Sequence, residues 1–370
     1  MERLVRLDGV RGVLAVYVMV GHALPFTSVP GWVAGPFRHG EAAVDLFFCL
    51  SGLVVINSLE RFEFRAWPFF VARGWRLLPV YWVVLGVSCA LLFLGSPFAS
   101  MPWLKPGSAA LEFWAAGPPG RFGWHLAAHV LLLHGLLPQG LLPWAFITLL
   151  GPAWSLSTEW QFYGVLAAVA RPGRLALLAF GLAAVAVLYR LAEGYLPAYW
   201  QFGRAFLPDA AGYFALGLAS AVWLRGEGVL PLLAIFIIVA GLGLASGEPS
   251  KALIIVVWLS ALAAQCVAGV PVLPRLLDSR PAQYLGAISY PLYLLNEPVQ
   301  WAAAMVVAPF AHGHISFFTL IWLPLAIAGP IIAAAVMHRW VERPLMHGFG
   351  RARRAGSGAG NLKSSGHPVI

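Results

Sequence analysis

Arg11-Gly-Val-Leu-Ala-Val-Tyr-Val-Met-Val-Gly-His22 is an apolar run closed at one end by a guanidinium and at the other by an imidazole. At ~100° per residue, eleven steps bring His22 back to within about 20° of Arg11, about 16 Å further along the same helix face. The apolar character continues to about residue 29, long enough for a membrane-spanning helix. Arg11 then stands at the mouth of the span, and His22 about halfway through a ~30 Å hydrocarbon core. Ionisable groups at that depth cost several kcal/mol unless they line a cavity or are paired, so both are functional candidates. A fixed cation below a proton acceptor suits a long molecule with a charged end.

The rest of the chain agrees with a membrane setting. Hydrophobic residues make up 60% of the 370, charged residues 11%, and the mean hydropathy is +0.78. A soluble domain of this size carries about twice that charge. The net charge of +9 is spread between apolar segments, which points to topology and not to nucleic acid. The N-terminus has no small-residue cleavage site and reads as uncleaved. Cys49, Cys89 and Cys266 stand singly in apolar stretches and read as small buried hydrophobes.

Runs of near-spanning length occur at about 11–29, 41–59, 77–95, 153–170, 173–190, 207–224, 229–246, 251–270, 284–309 and 315–338. The expected fold is therefore an all-α integral membrane bundle of about ten transmembrane helices, with both termini on one side. Placing the N-terminus in the cytoplasm puts eighteen of the 24 Lys and Arg residues in inside segments and six outside, which favours that orientation. The stretch 124–150 is interrupted by Pro138, Gly140 and Pro143, and as a crossing it would move Arg171 and Arg174 outside. It is expected to be a re-entrant or interfacial helical segment covered by protein. Residues 1–347 form one transmembrane domain, and 348–370, rich in Gly, Ser and Arg, are expected to be a disordered basic cytoplasmic tail.

Few polar residues lie inside the spans. Reckoned at 1.5 Å per residue, Asp45 falls about 6 Å below the outer face, Glu159 about 9 Å, Asn296 and Glu297 about 10–12 Å, and His22 about 14 Å. These depths place them in one layer, expected to face a shared cavity. On the inner side Arg73 and Arg76, three apart on one helix face, join Arg11 in a three-arginine cluster suited to bidentate phosphate binding. Topological anchoring by snorkelling is the alternative for each arginine. His125, His129 and His134 include an i, i+4 pair, but no carboxylate completes a zinc site, and no metal is expected.

Six segments carry a resemblance. They are Arg6-Leu-Asp-Gly-Val-Arg11-Gly with His22 beyond it; Val44-Asp45-Leu-Phe-Phe-Cys-Leu-Ser51-Gly52; Phe70-Val-Ala-Arg73-Gly-Trp-Arg76-Leu-Leu-Pro79-Val-Tyr81; Trp154-Ser-Leu-Ser157-Thr-Glu159-Trp-Gln-Phe162-Tyr163; Leu285-Gly-Ala-Ile-Ser289-Tyr290-Pro291-Leu-Tyr293-Leu; and Glu342-Arg343-Pro344. In this order they resemble the successive signatures of the acyltransferase-3 family. The resemblance implies a membrane-embedded O-acyltransferase of the general class EC 2.3.1.-, with acyl-coenzyme A, most often acetyl-coenzyme A, as co-substrate and no permanently bound cofactor. The acceptor would be a hydroxyl of a sugar, surface polysaccharide or glycosylated metabolite, and the setting the inner (cytoplasmic) membrane.

Carried onto this chain, the family's arginine–ten residues–histidine motif matches Arg11 and His22, and its arginine–two residues–arginine motif matches Arg73 and Arg76. Its tryptophan–serine–glutamate–tyrosine segment matches Trp154, Ser157, Glu159 and Tyr163, and its serine–tyrosine pair matches Ser289 and Tyr290. Asn296-Glu297-Pro298 departs from the histidine–any residue–proline of many members, so the acceptor preference is open there. The expected roles follow. His22 is the general base or transient acyl carrier, oriented by Asp45 or Glu159. Arg11, Arg73 and Arg76 hold the coenzyme, and Trp154, Ser157, Tyr163, Ser289, Tyr290, Asn296 and Glu297 line the substrate site. A transporter for an acyl donor or sugar-like solute is the alternative function, since a polar layer at mid-membrane serves it as well.

Overall fold

Each of the ten apolar runs carries a helix. The computed structural model describes residues 5–105, 107–108, 112, 114, 117–266 and 273–346, and every regular element among them is helical. The principal helices are α1 (Val5–Ala23), α2 (Gly40–Arg61), α3 (Ala66–Leu94), the short α4 (Phe122–Val130), α5 (Ala153–Val169), α6 (Leu175–Ala192), α7 (Leu207–Leu224), α8 (Leu230–Ala245), α9 (Pro249–Cys266), α10 (Arg280–Val307) and α11 (Ile315–Met337). The tail 348–370 lies outside the described residues.

Among the described residues, six segments are long and apolar enough to cross a membrane: Arg6–Phe26, Gly31–Arg61, Ala66–Ala99, Leu175–Tyr195, Leu207–Leu224 and Ile315–Met346. The protein is thus a multi-pass, all-helical membrane protein. Three of the other helices fall short for physical reasons. Helices α5 and α8 have only 17 and 16 residues. Helix α10, at 28 residues, is diluted by Asn296, Glu297, Gln300 and two internal prolines.

Missing side chains let helices approach closely, as membrane bundles require where no water drives association. A Cβ on Gly12 would fall 2.6 Å from the backbone of Gly286, and one on Gly286 would meet the Asp8 carbonyl, so α1 and α10 pack backbone to backbone. Gly52 and Gly217 do the same for α2 and α7, against the carbonyls of Phe214 and Cys49. Helix α7 is buried nearly all round, with Ala210, Ala211, Ala215, Ala219 and Ala221 all inside. It forms the hub on which α2, α6 and α8 lean.

The 124–150 stretch is not one helix. After α4 the chain passes a single 3-10 turn at His134–Leu136 and continues in turns to Gly151. One side of it packs on protein, where Leu132, His129 and His134 have no exposed surface, and the other side leaves Trp124, Leu131, Leu141 and Trp144 exposed. Its backbone oxygens are satisfied by Tyr81 (to His129, 2.8 Å) and Ser88 (to Leu149, 2.6 Å) of α3. Such irregular backbone is tolerated at membrane depth only when neighbouring protein supplies the partners. It delivers the chain to Gly151, whose N–H donates to the carboxylate of Glu297 on α10. Helix α5 therefore begins deep inside the bundle.

Candidate functional site

Among the described residues, two cavities gather most of the polar side chains singled out from the sequence. The first, about 90 Å³, is the arginine chamber, lined by Arg11 of α1, Ser51 of α2, Arg73 and Arg76 of α3, Glu159 and Tyr163 of α5, and Ser289, Tyr290 and Tyr293 of α10. Arg73 is 6% exposed, its Nε has no hydrogen-bond partner, and its guanidinium lies 5.1 Å from the centre of the Tyr163 ring. A buried donor without an acceptor costs about 1–3 kcal/mol, so the position is shaped for something other than stability. Ser51 donates to Glu159 Oε1 at 2.5 Å, and the Tyr163 hydroxyl donates to the same oxygen. Arg11 lies 3.8 Å from Asp8. Three guanidiniums thus share the chamber with one carboxylate, Glu159, which two hydroxyls already engage. Ser289 and Tyr290 are turned to the backbone, donating to the carbonyls of Gly286 (2.9 Å) and Leu77 (2.6 Å).

The second chamber, about 920 Å³, holds His22. The imidazole Nδ1–H donates to Asn296 Oδ1 at 2.7 Å, and Nδ1 lies 3.3 Å from Glu297 Oε1. Asn296 Nδ2 donates to the carbonyl of Tyr293 at 2.5 Å, which orients the amide with its oxygen toward the ring. That oxygen accepts only, so Nδ1 carries the hydrogen of this contact. Glu297 is held in turn by the Gly151 N–H, and a Cβ at Gly151 would overlap its carboxylate. Indoles of Trp103, Trp114, Trp154 and Trp301 line the walls. Arg204 sits 4.3 Å from the centre of the Trp154 ring and pairs with Glu41.

The structure therefore divides the expected single layer. Arg11, Arg73, Arg76, Glu159, Tyr163, Ser289 and Tyr290 come together in the arginine chamber; His22, Trp154 and Glu297 line the other, with Asn296 behind His22. Glu159 does not join His22. Counting its depth from a membrane surface misplaces it, because the 124–150 stretch starts α5 beside Glu297. Asp45 does not reach His22 either. It is buried, hydrogen-bonded to Tyr213 of α7 and near Asp209 and Lys251. Its depth along α2 agrees with the layer, but its side chain turns the other way. Ser157 lines neither chamber among the described residues. Its hydroxyl donates to the Leu132 carbonyl at 2.7 Å and accepts the Gly135 N–H at 3.1 Å, pinning the 124–150 stretch to α5.

Asn296 and Glu297, expected to line the substrate site, both contact the His22 ring, and Glu297 also lines the chamber. Ser51 and Tyr293 stand within the quoted motifs without an expected role, whereas Arg204 lies between apolar runs and carries no periodic signal. His129 and His134 stack with ring centres 4.1 Å apart and planes 11° apart. Parallel rings at that spacing cannot aim their in-plane lone pairs at one ion at ~2.0–2.1 Å.

A family model described as an acyltransferase domain, acyltransferase-3, matches residues 4–339. The chain belongs to this family and is a membrane acyltransferase of the general class EC 2.3.1.-. It is 27% identical over 320 residues to the "Putative membrane-bound transacylase BcsY" of Komagataeibacter xylinus, covering 79% of this chain and 72% of that protein. It is 26% identical over 341 residues to the exopolysaccharide production protein ExoZ of Rhizobium meliloti strain 1021, covering 87% and 94%. Protein 2 in the picA locus of Rhizobium radiobacter is 31% identical over 170 residues, 43% of this chain and 78% of that protein. No solved structure matches the chain. Of the two functions open from sequence, membership selects the enzyme over the transporter.

Proposed function

We propose that this acyltransferase moves an acetyl group from acetyl-coenzyme A to a hydroxyl of a polysaccharide or related glycoconjugate. The observation that carries the reading is the oriented His22, with Asn296 and Glu297 behind it, in a large chamber next to a small one that concentrates three arginines. Arg11, Arg73 and Arg76 hold the coenzyme's phosphates, which fork-shaped guanidiniums recognise well. The pantetheine arm brings the thioester toward His22. Nε2 takes the proton from the acceptor hydroxyl as its oxygen attacks the thioester carbonyl. The ester C–O bond forms, the C–S bond breaks, and the imidazolium returns its proton to the departing thiolate. Glu297, 3.3 Å from Nδ1, stabilises the imidazolium that forms between these steps.

A carbohydrate acceptor is supported by the chamber's size and its four indoles, which offer flat apolar faces beside polar groups. The naming of a relative as an exopolysaccharide production protein agrees with it. The topology we infer has ten crossings in the inner (cytoplasmic) membrane with both termini cytoplasmic, supported by the eighteen-to-six division of the 24 basic residues. The arginine chamber then faces the cytoplasmic pool of acyl-coenzyme A. No cofactor is held between turnovers in this scheme.

The test is purified protein in proteoliposomes given acetyl-labelled acetyl-coenzyme A and candidate oligosaccharides, with mass spectrometry of the glycans. The expected result is covalent label on a sugar hydroxyl. Label that enters vesicles without covalent product would overturn the reading and restore the transporter.

A further inference from the structure

The two chambers share one lining residue among those described, Tyr293. The three arginines lie on one side of it and His22 on the other. Tyr293 is 8% exposed and closes the space between three helices. From α5, the Ser155 hydroxyl lies 3.0 Å from its phenolic oxygen; from α2, the Phe47 ring meets it edge-on with centres 5.8 Å apart. An acyl transfer needs the thioester carbon about 3–3.5 Å from the attacking oxygen, beside the base that takes the proton. A donor anchored on Arg11, Arg73 and Arg76 cannot meet that condition while the Tyr293 ring stands between them and His22.

We propose that Tyr293 is the gate between the donor and acceptor chambers, a positioning residue that swings aside to let the acyl-bearing arm reach His22 and otherwise keeps the two compartments apart. The proposal rests on the acyl-transfer reading for its purpose, but not for its geometry. Two features make such a movement inexpensive. Ser155 also lies 3.1 Å from the Pro152 carbonyl, so its hydroxyl keeps an acceptor when Tyr293 leaves. Pro291 and Pro298 bracket Tyr293 on α10, and each withholds an N–H from the turn before it, loosening the helix there. The Asn296 side chain donates to the Tyr293 backbone carbonyl while its oxygen holds His22, so the base keeps its support when the ring swings.

The experiment uses the full chain in proteoliposomes, with Cys49, Cys89 and Cys266 replaced by alanine. Val54, which lines only the arginine chamber, is changed to cysteine as a reporter. A membrane-impermeant thiol reagent is added from the face where the His22 chamber opens. With Tyr293 present, labelling is expected to be slow; in Tyr293→Ala it rises about tenfold or more, because access limits thiol reactivity. Tyr293→Phe, which keeps the ring and loses the Ser155 contact, falls between. In parallel, Tyr293→Ala should raise acetyl-coenzyme A hydrolysis relative to transfer, since water crosses where the ring stood. Equal labelling rates in all three proteins would overturn the gate. A protein that shows the barrier but transfers no acetyl group would instead overturn the acyl-transfer reading and leave the barrier standing.

Discussion

The two chambers meet at one side chain and are built on opposite plans. The arginine chamber is small, about 90 Å³, and crowded with charge: three guanidiniums face one carboxylate that two hydroxyls already engage. The His22 chamber is about 920 Å³, walled by indoles, and holds an imidazole whose Nδ1 is engaged by an amide oxygen. A tight site with surplus positive charge suits one invariant anionic end of a donor. A roomy aromatic site suits acceptors that vary. Asn296, where the sequence departs from the motif it resembles, lies behind His22 and not among the arginines.

Substitutions break this comparison in order of effect. The largest is expected for His22→Ala, which should lower the transfer rate about 10²–10⁴-fold or more while the protein stays folded in the membrane. Parent-level transfer, followed with acetyl-labelled donor, would remove His22 from the chemistry. Next come Glu297→Gln and Gly151→Ala, the latter because a new methyl displaces the Glu297 carboxylate. Each is expected to lower kcat about 10–100-fold, the worth of one hydrogen bond or ion contact to a charged group, with little change in donor KM. An unaltered rate in the Gly151→Ala protein would show that Glu297 does not serve the imidazole.

On the other side of the gate, Arg76→Ala should do the reverse, raising donor KM about tenfold with kcat less affected. Donor-titration kinetics that move kcat instead would place Arg76 in the reaction and collapse the distinction between chambers. The smallest catalytic effect is expected for Ser157→Ala. It leaves the buried Gly135 N–H unpaired and should cost about 1–3 kcal/mol of stability, read as a lower melting temperature, without shifting donor KM. A large KM change there would return Ser157 to the substrate site.

Much of this is legible in the chain. Arg11, Arg73 and Arg76 are expected together and line one chamber, because helix periodicity puts Arg73 and Arg76 on one face and charge at a span's end marks a membrane boundary. His22 stands out because an imidazole inside an apolar run has few structural excuses. Asp45 and Glu159, the partners expected for it, fail for two separate reasons. Asp45 has suitable depth but the wrong rotation about α2, which only packing against α7 sets. Glu159 has the wrong depth, because α5 starts within the bundle at Gly151 and not at a membrane surface.

What the sequence alone determined, then, is what local chemistry dictates: an all-helical membrane protein, its apolar runs, its family, and the short roster of polar residues that no lipid would accept. The tertiary structure alone decided how that roster divides. Rotation of a helix about its axis and the depth at which it begins are set by its neighbours, here by glycines that let α1 meet α10 and α2 meet α7, and by the irregular 124–150 stretch. Those contacts put Glu297 and Asn296 on His22, Glu159 among the arginines, and Tyr293 between them.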